Sequence, residues 1–148
     1  MLEGSNLVRE LLGEVAHTGT SPGGADVIES TNQLIVADSS GLTAWFYQKD
    51  LTPLSTSIPG PYSSAQSLAG IAVDGVDNLA WLTESGDLRI TDLSGTETAA
   101  FALALDPGAV LSGLTWSTQM DGWLTVNLAE GLILKINTDG SLEEVPAA

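Results

Sequence analysis

Gly70-Ile-Ala-Val-Asp-Gly-Val-Asp-Asn-Leu-Ala-Trp-Leu-Thr-Glu-Ser-Gly-Asp-Leu-Arg-Ile90 decides how this chain is read. Two apolar runs, Ile71 to Val73 and Leu79 to Thr83, flank Asp74-Gly-Val-Asp-Asn78, and a third run starts at Leu88 after Ser85-Gly86. Short runs of Val, Ile, Leu, Thr and Trp broken by Asp-Gly and Ser-Gly predict strands joined by tight turns. Working outward, the same order recurs on both sides. Upstream it is Gly24 to Glu29, Leu34 to Asp38, then Gly41 and Leu42 to Tyr47; downstream it is Gly113 to Ser117, Trp123 to Asn127, then Gly131 and Leu132 to Ile136. Gly41, Gly86 and Gly131 are 45 and 45 residues apart, and Gly24, Gly70 and Gly113 are 46 and 43 apart. A fourth, weaker run closes each unit, at Pro53 to Ile58, Thr96 to Leu103 and Ser141 to Val145. The period therefore encloses four antiparallel strands.

A four-stranded unit of about 45 residues cannot bury both of its faces alone, so this period predicts sheets stacked radially, the blades of a β-propeller. The fold class is all-β: three four-stranded antiparallel blades plus an extra N-terminal strand. Its units are 1–23 for the extra strand and connection, 24–60, 61–105 and 106–148 for the blades. Asn6 to Leu12 is read as that extra strand, with a short amphipathic helix over Leu7 to Val15 as the alternative. The 70–90 stretch resembles one blade of an NHL-type or gluconolactonase-like β-propeller. The resemblance extends over most of Ala25 to Pro146; it implies an architecture and leaves function open, because such propellers serve as enzymes, sensors and binding platforms. Three blades leave apolar sheet faces open to water. The expectation is therefore a homodimer closing a six-bladed ring, or membership of a longer propeller.

With 148 residues, 43% of them apolar, the chain has the length and composition of one folded domain. Four Lys and Arg against 19 Asp and Glu give a net charge of −15, which repels phosphate backbones and anionic membrane surfaces. Nucleic acid is excluded as a partner on this ground. No run approaches the roughly 18 uninterrupted apolar residues of a membrane-spanning helix, so no membrane partner is expected and the chain reads as soluble, cytoplasmic or secreted. It has no cysteine, hence no thiolate chemistry or disulfide framework. Met1-Leu2-Glu3-Gly4 opens the chain without a basic, apolar leader.

Candidate functional residues fall in two groups. Asp38, Glu84 and Asn127 stand at the ends of the second strands, just before the turn glycines, and would recur around one end of the blades. They read either as a ring of ligand-binding oxygens or as turn residues whose side chains accept backbone N–H bonds. His17, the single histidine, is placed on a connection at that same end, as a ligand-binding candidate or a solvated or cap-forming side chain. Asp26, Glu29 and Asp74 are the carboxylates of the innermost runs. The gluconolactonase-like resemblance implies a divalent cation such as Ca²⁺ in a central channel, and these three are the candidate metal ligands. The Asp74-to-Asn78 segment is read as a hairpin turn rather than a calcium loop, because it lacks the alternating oxygen donors and closing Glu of one. The Trp45-Phe46-Tyr47 triplet must point to both faces of its strand, which predicts a cover on each side.

Two functions follow. The first is a binding or scaffolding module with no cofactor, closed by self-association and presenting loops to a protein, peptide or small ligand. The second is a divalent-metal-dependent hydrolase of the gluconolactonase-like type. No Gly-x-Ser-x-Gly element is present to supply a nucleophile.

Overall fold

The computed structural model describes residues 15–19 and 21–145. The extra N-terminal strand expected at Asn6 to Leu12 lies outside them. Twelve strands follow in order: β1 (Pro22–Ile28), β2 (Gln33–Asp38), β3 (Thr43–Tyr47), β4 (Pro53–Pro59), β5 (Leu68–Val73), β6 (Leu79–Thr83), β7 (Asp87–Thr91), β8 (Glu97–Ala102), β9 (Leu111–Ser117), β10 (Gly122–Asn127), β11 (Leu132–Asn137) and β12 (Leu142–Val145). They form three separate four-stranded antiparallel sheets, each ordered as in the sequence: β1 to β4, β5 to β8 and β9 to β12. No described helix is long and apolar enough to cross a membrane.

The sheets pack through their first strands, β1 against β5 and β5 against β9, and the leading glycine column explains how. A methyl group on Gly24 would lie 3.1 Å from the Ile71 nitrogen; one on Gly70 would lie 2.9 Å from the Leu114 nitrogen. Only a residue without a Cβ lets the backbones of neighbouring innermost strands come this close. In each sheet the same glycine adjoins a break in register between the first two strands: Pro22/Gly24, Leu68/Gly70 and Ser112/Thr115. The second column serves the turns between second and third strands. Gly41, Gly86 and Gly131 have φ of 72°, 96° and 67°, a left-handed conformation that disfavours side chains. Their N–H groups close the turns onto Asp38, Thr83 and Asn127 carbonyls.

Two apolar layers lie between the three sheets. Ile35, Ala37 and Phe46 of the first sheet meet Ile71, Leu79 and Trp81 of the second. Ala80, Leu82 and Leu88 on the second sheet's other face meet Trp123, Leu134 and Ile136 of the third. Strand alternation assigns these faces, since neighbours along a strand point oppositely. Each buried Leu or Ile contributes about 1.5–3 kcal/mol, so the layers dominate the stability of the stack. Tyr62, in the β4–β5 connection, locks the first layer from one end. Its ring covers Gly41, and its hydroxyl is shared between the carbonyls of Trp81 at 3.0 Å and Asp87 at 2.9 Å. Burial, reinforced by the Asp87 carboxylate, pushes its ionisation well above the ordinary tyrosine range. Arg89 sits over the ring, 5.4 Å from its centroid, and pairs with Asp87 and Glu97.

The outer faces of the first and third sheets carry no sheet among the described residues. Pairing places Leu124, Val126 and Ile133 on the far face of the third sheet, where Ala80, Leu82 and Leu88 stand on the second. Leu82 and Leu88 are 0% exposed, whereas Val126 is 36% and Ile133 42% exposed. At the other end, Val27 is 47% exposed while its counterpart Val73 is buried. The aromatic triplet straddles this boundary. Phe46 enters the first layer; Trp45 and Tyr47, which pair opposite Val36 and Leu34, lie on the outward face.

Candidate functional site

At the end of the sheets carrying the second-strand turns, the structure brings together two of the sequence candidates. Asp38 is the last residue of β2 and is buried; His17 lies on the segment entering β1. His17 Nε2 is 2.5 Å from Asp38 Oδ1, and His17 Nδ1 is 3.0 Å from the Tyr47 hydroxyl. The same hydroxyl accepts the Thr18 backbone N–H at 2.8 Å and stands 3.2 Å from Thr18 Oγ1. The His17 and Asp38 side chains are 10% and 9% exposed. His17 is therefore enclosed, with a carboxylate at one ring nitrogen and a phenol at the other. Gly19 completes the fit, because a methyl group there would strike Asp38 Oδ1 and lie 2.7 Å from both His17 Nε2 and Trp45 Nε1. Trp45 Nε1 is buried with no partner among the described residues. Tyr47, Trp45 and Gly19 carry no spacing signal; only the fold brings them to His17.

This cluster borders a shallow apolar pocket of about 320 Å³ on the outward face of the first sheet, lined by Val15, His17, Pro22, Leu34, Val36 and Tyr47 among others. It is a slot in a sheet face that no other sheet covers among the described residues.

Glu84 and Asn127 do not join His17 and Asp38. Glu84 lies one residue beyond β6 with its side chain exposed, and the true counterpart of Asp38 and Asn127 is Thr83. Thr83 Oγ1 accepts the Asp87 N–H at 2.9 Å. Asn127 Oδ1 accepts the N–H groups of Val110 and Ala129, and its amide donates to Glu130. Each side chain closes hydrogen bonds within its own sheet or the connection leading into it. The same turn chemistry recurs after the third strands, where Asp50, Asp92 and Asp139 accept bonds from Thr52, Ser94 and Ser141. Those bonds hold all three carboxyls below the ordinary aspartate value.

At the opposite end, Asp26, Glu29 and Asp74 border a polar groove of about 410 Å³ together with Asp77, Trp116 and Thr118. Asp26 spans the first two sheets: Oδ2 accepts the Val73 N–H at 2.7 Å and Oδ1 accepts that of Val27 at 2.8 Å. Asp74 Oδ1 accepts from Val76 and Asn78, closing the β5–β6 turn. Glu29 is exposed in the β1–β2 turn. Ser30 donates to Asp77 across the groove at 2.6 Å. Among the described residues no three His, Cys, Asp or Glu side chains converge as a metal-binding group.

No protein-family model and no curated protein sequence matches the chain. Solved structures do. A catalytically inactive virginiamycin B lyase from Staphylococcus aureus, crystallised with quinupristin, superposes with a TM-score of 0.66 at 16% identity, over 90% of this chain and 44% of its own. Kluyveromyces lactis Hsv2 matches with a TM-score of 0.59 at 14% identity, over 88% of this chain and 48% of its own. Kuenenia stuttgartiensis hydrazine synthase gives 0.61 at 14%, over 89% and 38%. The chain thus spans less than half the length of each. At such identities the likeness is one of fold, and these neighbours are β-propeller proteins, in keeping with the NHL-type and gluconolactonase-like resemblance of the repeats. The fold is all-β, and its three sheets are β-propeller blades.

Proposed function

We propose that the chain is a binding or scaffolding module: three blades that self-associate as a homodimer into a closed six-bladed ring and present turn loops to a protein, peptide or small ligand. One observation carries the reading. The positions that bury the face between blades in the first and second sheets, Ala37 and Leu82 among them, recur as the exposed Val126 in the third. Apolar side chains placed by the repeat for an inter-blade layer favour closure by added blades. The binding role over catalysis is supported by His17, whose nitrogens are both engaged, and by carboxylates committed to turns and to the Asp26 bridge.

Light scattering on the intact chain tests closure. The reading expects twice the chain mass at micromolar concentration; a single chain mass across the range overturns it.

A further inference from the structure

We infer that the ring closes head to tail: the outer face of the third blade seats on the outer face of the first blade of a second copy. Gly113 then packs on the partner's innermost strand as Gly70 packs on Leu114. This rests on the self-association proposed above and names the surface that performs it.

Gly24 lies against Ile71 and Gly70 against Leu114, each on the strand that opens the next blade, but among the described residues a methyl group on Gly113 would meet nothing within 4 Å. The turn column repeats the pattern. Tyr62 covers Gly41 and Leu105 covers Gly86, while Gly131 is bare among the described residues. Tyr62 and Leu105 each stand eight residues before the innermost-strand glycine of their blade, and the same offset from Gly24 falls on Ala16. The segment around Ala16, with Val15 44% exposed and His17 anchored to Asp38 and Tyr47, is thus the first blade's counterpart of Tyr62. Its expected place is over Gly131 of the preceding copy.

Both halves of one contact are therefore carried by the same chain. The third blade offers Leu124, Val126 and Ile133, whose equivalents on the second blade are buried against the third. The first blade offers Val27, Leu34 and Val36, whose equivalents Val73, Leu79 and Trp81 are buried against the first. The proposed seam continues an interface already built twice within the chain. Each free face matches the surface that the other end of the chain provides, so the occupant is a second copy of this chain. Two such seams related by a twofold axis close the circle with no face left over.

The test uses two variants of the full chain, Val27→Lys on the first blade and Val126→Lys on the third. Both positions are solvent-exposed in the lone subunit, so circular dichroism should match the wild type, while the melting point falls by the stabilisation that association supplies. A lysine enclosed in an apolar seam weakens association by at least about 100-fold, so each variant alone should run at one chain mass. Mixed in equal amounts they should associate through one seam, where the intact third blade of the first variant meets the intact first blade of the second, while the other seam, which carries both lysines, stays open. A wild-type protein of one chain mass defeats the self-association reading itself. A wild-type dimer that either variant retains alone, or variants that stay apart on mixing, defeats the head-to-tail seam and leaves self-association standing.

Discussion

Gly70 lies against the main chain of Leu114 so closely that a methyl group there would come to 2.9 Å from the Leu114 nitrogen. Backbone cannot yield as a flexible side chain does. The substitution Gly70→Ala must therefore spread the second and third blades, and overpacking of this kind costs about 1–3 kcal/mol. The expected result is a thermal midpoint lowered by about 2–4 °C for each kcal/mol, read by calorimetry. An unchanged midpoint would mean that the innermost strands do not meet at this glycine.

Tyr47→Phe removes the hydroxyl that holds Thr18 and His17 while keeping the ring. The buried His17 Nδ1 and the Thr18 N–H both lose a partner, a cost of about 1–3 kcal/mol confined to the entering segment. Amide exchange of residues 15–19 should accelerate while the β6 amides keep their protection. Uniform acceleration across all three blades would contradict the assignment of this cluster as a local anchor.

Tyr62 gives a pH dependence whose sign can be worked out. Its neutral form is favoured in the folded chain, where burial raises its ionisation above the ordinary value of 10.0. Stability from this group is complete below that value and is lost as the pH climbs from it toward the raised folded value. Urea unfolding at about pH 9 and about pH 11 should show a drop that Tyr62→Phe reduces. Tyr62→Phe should also cost about 1–2 kcal/mol at neutral pH, because the Trp81 and Asp87 carbonyls lose their shared donor. Equal alkaline losses in both proteins would refute the role given to Tyr62.

Asp26 is expected to act as a bridge between blades, not as a cation ligand. Asp26→Ala should destabilise by about 1–3 kcal/mol, because the buried Val73 N–H loses its acceptor. Millimolar Ca²⁺ should move the wild-type melting temperature by less than about 1 °C, since a bound ligand stabilises only by its occupancy of the native state. A calcium-dependent shift of several degrees that Asp26→Ala abolishes would restore the metal reading.

How much was legible in the sequence follows from what each residue does locally. The glycine columns report backbone events, a close approach and a left-handed turn, that glycine alone satisfies, so their spacing exposed the repeat and the strands. The hairpin role of Asp74 was legible for the same reason: an aspartate closing a turn acts on N–H groups two and four residues on. The cluster at His17 was not legible as a whole. Asp38 and Tyr47 are 21 and 30 residues from it, and only the pairing of β2 with β3 brings them side by side. Glu84 was misplaced by one residue because the third unit has one more residue between its strand end and Gly131 than the other two have before Gly41 and Gly86, which blurs the register of the turn.

The ring also has an ionic signature. Each copy carries −15 net charge, so two copies repel, and salt that screens this repulsion over a Debye length of about 10 Å at 0.1 M should tighten the dimer. Dissociation constants from dilution series at low and moderate salt would check this. Weaker association at the higher salt would point to a seam made of ion pairs in place of the apolar faces described.

Small-angle scattering of the intact chain tests most directly whether the blades complete a circle. Two copies in one compact ring predict a forward-scattering mass of two chains and a radius of gyration of about 19 Å, against about 15 Å for one compact chain. One chain mass with the smaller radius at every concentration would contradict the account.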